Sequence, residues 1–391
     1  MRHASLRAMT VYGTLTAVVF ALGASVPTPL YPLYQRVYGL VPFQVTALFA
    51  IYVVALLIAL LTAGRLSNHL GRKPVIAGAL LLNLAALAIF LAADSYQGLL
   101  LARVVQGLAM GIAVPTCGAA IVDADPERGP VLNSVVPFLG MSFGALSTGL
   151  LVSLAPHPMA LPYVAIGIFS VLSLLALVRM PETCPRHPGA LASLRPSLGV
   201  PRAARAQFIR YLPPVLTGWA IGGLYMSLMP TLLNRALHTE SQMVTGVIVC
   251  VLMGSAAVAV MVGRTRPASR MMLAGAVAQM LGIPLTLAGM ELGQGPLMFL
   301  GTMIVGTGQG LVFSSILRLL LPLAEGQERA SMLATFFALS YTAFAAPAVL
   351  AGMAVPYLGL MQTAFVYGMV ILVALALALL GLRRVPEPKR C

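Results

Sequence analysis

The sequence predicts an all-α integral membrane protein: twelve transmembrane helices in two pseudo-symmetric six-helix bundles. Three observations carry that expectation. The 391 residues are 59% hydrophobic and only 9% charged, with a mean hydropathy of +0.94. So few charges cannot solvate the surface of a soluble fold. Several apolar runs exceed about 18 residues, each long enough to cross roughly 30 Å of hydrocarbon as a helix. Short motifs of the first half also recur in the second at a nearly constant spacing.

Taken in order, the apolar runs place spans near 10–34, 44–63, 75–93, 97–122, 131–154 and 160–179, then 208–233, 243–263, 271–290, 295–322, 330–354 and 358–382. The opening MRHASLRAM before an apolar run mimics a signal peptide. That run continues to Tyr34 and has a counterpart in the second half, so it reads as span 1. Prolines 27, 29 and 32 in span 1, and Pro230 in span 7, are expected to bend those helices. Between spans 6 and 7 lies Met180 to Gln207, rich in Pro and Arg, which reads as a mobile linker. The division expected is 1–180 for the first half, 181–207 for the linker and 208–391 for the second half.

Loop charge predicts the orientation. With both termini cytoplasmic, the inside loops and termini carry about twenty of the 24 Lys and Arg, and the outside loops only Arg36 and Arg235. A net charge of +14 distributed in this way is topology, not a nucleic-acid surface. The four cysteines are far apart and lack metal-ligand spacing, so neither a metal site nor a disulfide is expected.

The repeat rests on residues alone. LYPLYQR (30–36) is echoed by LMPTLLNR (228–235), and Val45-Thr46 by Val244-Thr245 at an offset of 199. Gln106-Gly107 recurs as Gln309-Gly310, offset 203, and Arg179 to Glu182 as Arg384 to Glu387, offset 205. Parallel repeats of six spans place a solute site near the bilayer midplane, where two halves can rock around it.

The most informative stretch is GRLSNHLGRKPVI (64–76), a basic hairpin between two apolar runs. It resembles the loop between helices 2 and 3 of the major facilitator superfamily, G-x-L-x-D-R-x-G-R-[RK]. Gly64, Leu66, Gly71, Arg72 and Lys73 match; Asn68 replaces the usual Asp and His69 the usual Arg. The fourth-helix pattern R-x-x-Q-G stands as Arg103-Val-Val-Gln106-Gly107, followed by an acidic turn, Asp123 to Arg128. The fifth helix of proton-coupled efflux members carries G-x-x-x-G-P-x-x-G-G. Here Gly140 and Gly144 are kept and Ala145 replaces Pro, which leaves antiport open. The resemblance, extending to drug and metabolite efflux members, implies the fold, alternating access and a loop that latches one state. With Asn68, the ionic part of that latch is missing, and Arg128 has Asp123, Asp125 or Glu127 as partners. The bland alternative is a loop that only anchors Arg72 and Lys73 to anionic lipid.

Within the spans, Arg103 is costly unless it faces a wet cavity, finds partners or snorkels to the outer headgroups, and these readings stand. In a cavity it would contact substrate or bias a proton site, with Gln106 on the same face and Gln309 approaching from the other half. Arg318 lies near the end of span 10, where snorkelling is the better reading. By resemblance, spans 1, 4, 7 and 10 line the cavity and offer Tyr31, Tyr34, Trp219 and Tyr225. Each of these aromatics can equally pack against lipid. No acidic residue lies at mid-span, so proton coupling must use Asp123 or a rim carboxylate such as Asp94 or Glu291. A cavity with a lone guanidinium would favour neutral or anionic solutes.

HExxH and paired mid-span carboxylates are absent, so an enzyme acting on lipid is disfavoured and no cofactor is expected. The reading is a monomeric secondary transporter of a bacterial inner membrane. It exports small amphipathic molecules, with H+ as the candidate coupling ion; uptake of a small organic solute is the alternative. Its partners are the lipid bilayer and a small-molecule substrate, not nucleic acid.

Overall fold

The computed structural model describes residues 2–154 and 156–383. Among these residues there is no strand. The twelve predicted spans are all helical. In the first half they are Arg2–Ser25 continued by Pro27–Tyr38, Pro42–Ala63, Arg72–Ala92, Tyr96–Ala124, Gly129–Leu154 and Leu161–Leu177. In the second they are Arg202–Ser227 continued by Met229–Ala236, Gln242–Gly263, Ala268–Glu291, Gly295–Leu320, Gly326–Leu358 and Leu360–Arg383. Ten are long and apolar enough to cross a membrane by themselves, and the bent pair of span 7 makes an eleventh. Leu161–Leu177 is apolar but has only 17 residues.

The predicted bends come out unequally. Span 1 breaks at Val26, just before Pro27, yet its two pieces remain one run of 33 residues from Leu6. Span 7 turns by 64° between Ser227 and Met229. Pro230 follows at the start of the second piece, where its missing N–H costs nothing.

Span 7 begins at Arg202, earlier than expected, because the linker is structured up to it. Residues 180–195 lie against the 64–73 loop. His187 N–H donates to His69 O at 2.9 Å, Lys73 Nζ to Met180 O at 2.6 Å and Arg65 to Arg195 O at 2.8 Å. Residues 197–199 instead reach span 11, through Ser197 Oγ and Ser331 Oγ at 2.6 Å and Gly199 N–H to Thr335 at 2.9 Å. The segment expected to be mobile is thus a strap tied to both halves.

Within each half, glycines let the helices cross backbone to backbone. A side chain at Gly107 would strike Tyr52 O of span 2, and one at Gly310 would strike Ala256 O of span 8. The repeated Gln-Gly pairs therefore serve the same crossing in both copies. Between halves, span 2 packs on span 11 and span 5 on span 8. Gly352 seats on Thr46 and Gly149 on Gly246, and the two glycines are 352 − 149 = 203 residues apart, so the two seams are repeat copies.

Candidate functional site

The site is built where the halves meet. In the first half, span 4 brings Arg103 across span 2 at the Gly107 crossing. Its guanidinium donates to Leu48 O at 3.1 Å, Gln106 Oε1 at 2.7 Å and Tyr31 Oη at 3.1 Å, and lies over the Tyr52 ring at 4.3 Å. Leu48 and Tyr52 are one turn apart, so a single helix face supplies both the carbonyl and the ring. Gln106 passes the network on through Nε2 to Gly23 O at 2.9 Å. Arg103 is only 2% exposed: of the readings the sequence allowed, it neither snorkels nor faces an open cavity but has found partners. It is also not unpaired. All of its described partners are neutral, and no carboxylate lies within ion-pair reach among the described residues.

An aromatic box adjoins this network. Trp219 contacts Tyr341, Phe344 and Phe313 with ring centroids 4.9, 5.3 and 6.3 Å apart. Phe344 meets Phe49 of the first half at 4.8 Å, and Phe313 meets Phe138 at 5.5 Å. Edge-to-face geometry predominates, the arrangement that ring quadrupoles prefer. Trp219 therefore sits at the junction of the halves. Tyr225 does not; it turns into the second half, hydroxyl to hydroxyl with Thr302 at 2.7 Å, beside an apolar cavity of about 30 Å³. Tyr31 joins Arg103, whereas Tyr34 pairs with Tyr163 at 2.6 Å, whose ring stacks on Phe90.

Gln309 lies beside Phe344, where both face Gly222, and its Oε1 is buried without a hydrogen-bond partner. Gln279, fully buried on span 9, likewise has an unpartnered Nε2.

At the basic end, Arg72 is 7% exposed and donates to Asp123 Oδ2 at 2.9 Å, Ser67 Oγ at 2.7 Å and Asn68 Oδ1 at 2.6 Å. Gly71 adopts φ +93 at the start of span 3, and its Cα side faces Glu182. The Glu182 carboxylate accepts from the N–H groups of Arg72 at 2.7 Å and Lys73 at 3.0 Å, as well as Thr183 and Cys184. It is an acidic cap on a helix N-terminus. Asp123 thus pairs with Arg72 and not with Arg128, whose backbone N–H bonds Asp125 Oδ1 at 3.0 Å. Arg318 reaches Gly263 O and Arg266 O at this same end.

At the opposite end the halves are joined. Thr28 Oγ1 donates to Met226 O at 3.1 Å, Thr231 to Gln35 at 2.9 Å, and Arg36 pairs with Glu240 at 2.9 Å. Together with the two glycine seams, these contacts close that end.

Sequence reasoning missed Tyr52, Phe49, Phe138, Phe313, Tyr341, Phe344, Gln279 and Glu182. Gln279 could have been found as a polar group inside an apolar run, and Glu182 as part of the repeated Arg-x-Pro-Glu. The aromatics carry no signal along the chain, because lipid-facing and inward rings look alike in sequence.

A model of the Major Facilitator Superfamily matches residues 13–290. The uncharacterized MFS-type transporter YhjO of Bacillus subtilis is 30% identical over 159 residues, 39% of each chain. The gallate transporter of Pseudomonas putida is 35% identical over 106 residues, 27% of this chain and 23% of its own. The bacillibactin exporter of B. subtilis is 31% identical over 103 residues, 25% of this chain and 26% of its own. These matches span well under half of the relatives' lengths. The nucleoside transporter NupG superposes with a TM-score of 0.72 over 96% of this chain and 100% of its own, at 14% identity, a likeness of fold alone.

Proposed function

The chain belongs to the major facilitator superfamily, and on that premise we propose that it exports small amphipathic aromatic molecules by alternating access. The observation that carries this reading is the aromatic box shared by the halves, with Phe49 and Phe138 on one side and Trp219, Phe313, Tyr341 and Phe344 on the other. Rings from both halves can grip a planar apolar solute and release it when the halves part. The sealed Arg103 network leaves a positive field without a carboxylate, which disfavours cations and suits neutral or anionic solutes. A relative described as an exporter of bacillibactin and another described as a transporter of gallate are compatible with such solutes.

The driving reaction proposed is proton antiport. Asp123 is the candidate carrier, because a proton there would break its 2.9 Å pair with Arg72 and loosen the loop. The placement proposed is a bacterial inner membrane with both termini cytoplasmic and a monomeric carrier, in line with the concentration of Lys and Arg at one end. Uptake of a small organic solute by the same box is the second reading.

The test is a pH gradient in inside-out vesicles containing the protein, challenged with aromatic amphipaths. Release of the gradient on adding a compound, absent from vesicles lacking the protein, supports export by antiport. Equilibration of a compound without proton movement points to uniport, exit of preloaded compound from the vesicles points to uptake, and no movement of any compound by folded protein overturns the reading.

A further inference from the structure

Gln106 and Gln309 are repeat mates, 309 − 106 = 203 residues apart, yet their amides have different fates. Gln106 is used at both ends, accepting from Arg103 and donating to Gly23 O. The position matching Arg103 in the second half is Gly306, since 103 + 203 = 306. A side chain there would strike Leu252 O and Ser255 Oγ of span 8, so the close crossing excludes an arginine. Gln309 Oε1 is fully buried and has no hydrogen-bond partner among the described residues. A buried amide oxygen without a partner is costly, and its persistence calls for a ligand or water.

Gly218 and Gly222 lie one turn apart on span 7; a Cβ at Gly218 would come 3.2 Å from Gln279 Nε2, and one at Gly222 would come 3.2 Å from Gln309 Nε2. The two glycines let two amides pack against span 7 one turn apart. Phe344, a wall of the aromatic box, packs on Gly222 beside them, 3.1 Å from that built Cβ. Phe313, one turn beyond Gln309, carries the box to the first half through Phe138.

We propose that the Gln309 amide, with Gln279 behind it, is a substrate subsite for a neutral donor–acceptor edge on an aromatic ring, such as a carboxamide or lactam. An amide offers an acceptor and a donor side by side, and its complement is another group of the same kind. A carboxylate satisfies only the donor end and leaves Oε1 facing lone pairs. An N,N-dialkyl amide does the same. This inference rests on the aromatic-export reading and narrows it to solutes whose ring stacks in the box while an attached amide edge meets Gln309.

Trp219 is the only tryptophan in the chain, so its fluorescence reports occupancy of the box without any transport assay. Protein in nanodiscs is titrated with 2-naphthamide, N,N-dimethyl-2-naphthamide and 2-naphthoate, with correction for inner-filter absorption. The expected result is that 2-naphthamide binds about five- to tenfold tighter than either analogue, the value of a neutral hydrogen-bond pair. In Gln309→Leu, or in Gln309→Met should the first fold poorly, that preference should shrink to less than about twofold. Equal binding of the three compounds, as when the amide holds only water, overturns the subsite, as does a preference that survives both variants. Failure of all three to quench Trp219 overturns it too. Vesicle transport of an aromatic amphipath lacking an amide would then leave the broader function standing, while loss of all transport would remove both.

Discussion

Arg72 and Asp123 lie on the N-terminal turn of span 3 and the C-terminal turn of span 4, and they are joined by a 2.9 Å ion pair. Asn68 adds a neutral acceptor 2.6 Å from the same guanidinium, where the superfamily pattern has a second carboxylate. Asp123 is therefore the only carboxylate paired with a buried arginine among the described residues. The Arg72 guanidinium is held by one charge where two would fit.

Replacement of Asp123 by Asn should lower stability by about 1–2 kcal/mol, less than for a fully buried pair because its side chain is 31% exposed. Transport should fall as well. Asn68→Asp alone should shift the balance between states without abolishing transport, and combined with Asp123→Asn it should restore most of the stability. Thermal unfolding in nanodiscs and transport rates in vesicles check this. An additive double variant would show that the two carboxylate positions do not substitute for one another.

Glu182 gathers four backbone N–H groups, two from span 3 and two from the linker. Glu182→Gln should leave the helices intact yet free the strap. Trypsin should then cut after the exposed Arg186 about tenfold faster, equivalent to a local opening roughly 1.4 kcal/mol easier. Unchanged cleavage would mean that the bonds from His187 and Arg65 hold the strap without the carboxylate.

Arg103→Lys keeps the charge but loses the fork. An ammonium cannot span Leu48 O, Gln106 and Tyr31 together, so the variant should be less stable by about 1–3 kcal/mol. Transport should drop by at least about tenfold for neutral and anionic solutes alike. If Arg103→Lys behaved as wild type, the residue would act as a point charge only.

Gly246→Val should keep the end opposite the strap from closing, because a side chain there meets Ala145 O of span 5. The expected phenotype is loss of transport with a folded protein. In a cysteine-free background, Thr28→Cys should react with a membrane-impermeant thiol reagent in Gly246→Val and be protected in the parent. Protection in both would show that the seam does not control this end.

Trp219→Phe should raise KM for aromatic substrates by about threefold, and Trp219→Ala by about tenfold, the range set by a ring–ring contact. A change confined to kcat would place Trp219 in the motion of the halves and not in binding.

Much of this was legible in the chain. Long apolar runs and the six-span repeat predicted twelve helices to within a few residues for most ends, since hydropathy and length are local and need no knowledge of neighbours. Span 1 at Arg2 and span 7 at Arg202 start well before the expected residues. At Arg202 the reason is that a proline- and arginine-rich segment looks solvated until Glu182, His187 and Arg195 find partners on the 64–73 loop. Arg103 and Gln106 were visible as polar groups inside an apolar run. That they are sealed was not, because sealing depends on Leu48, Tyr31 and Gly23 arriving from two other helices.

By itself the sequence determined the membrane class, the two-half plan and the residues too polar to sit in lipid without a reason. Each of these follows from transfer free energies summed along one helix. Tertiary structure alone decided which face of each helix turns inward, and so which aromatics make the box, which carboxylate meets Arg72, and why Gln106 is satisfied while Gln309 is not. Those outcomes hang on helix rotation and on glycine crossings at Gly107, Gly306 and Gly310. A rotation of one residue, about 100°, exchanges lipid for core without changing the hydropathy of the span.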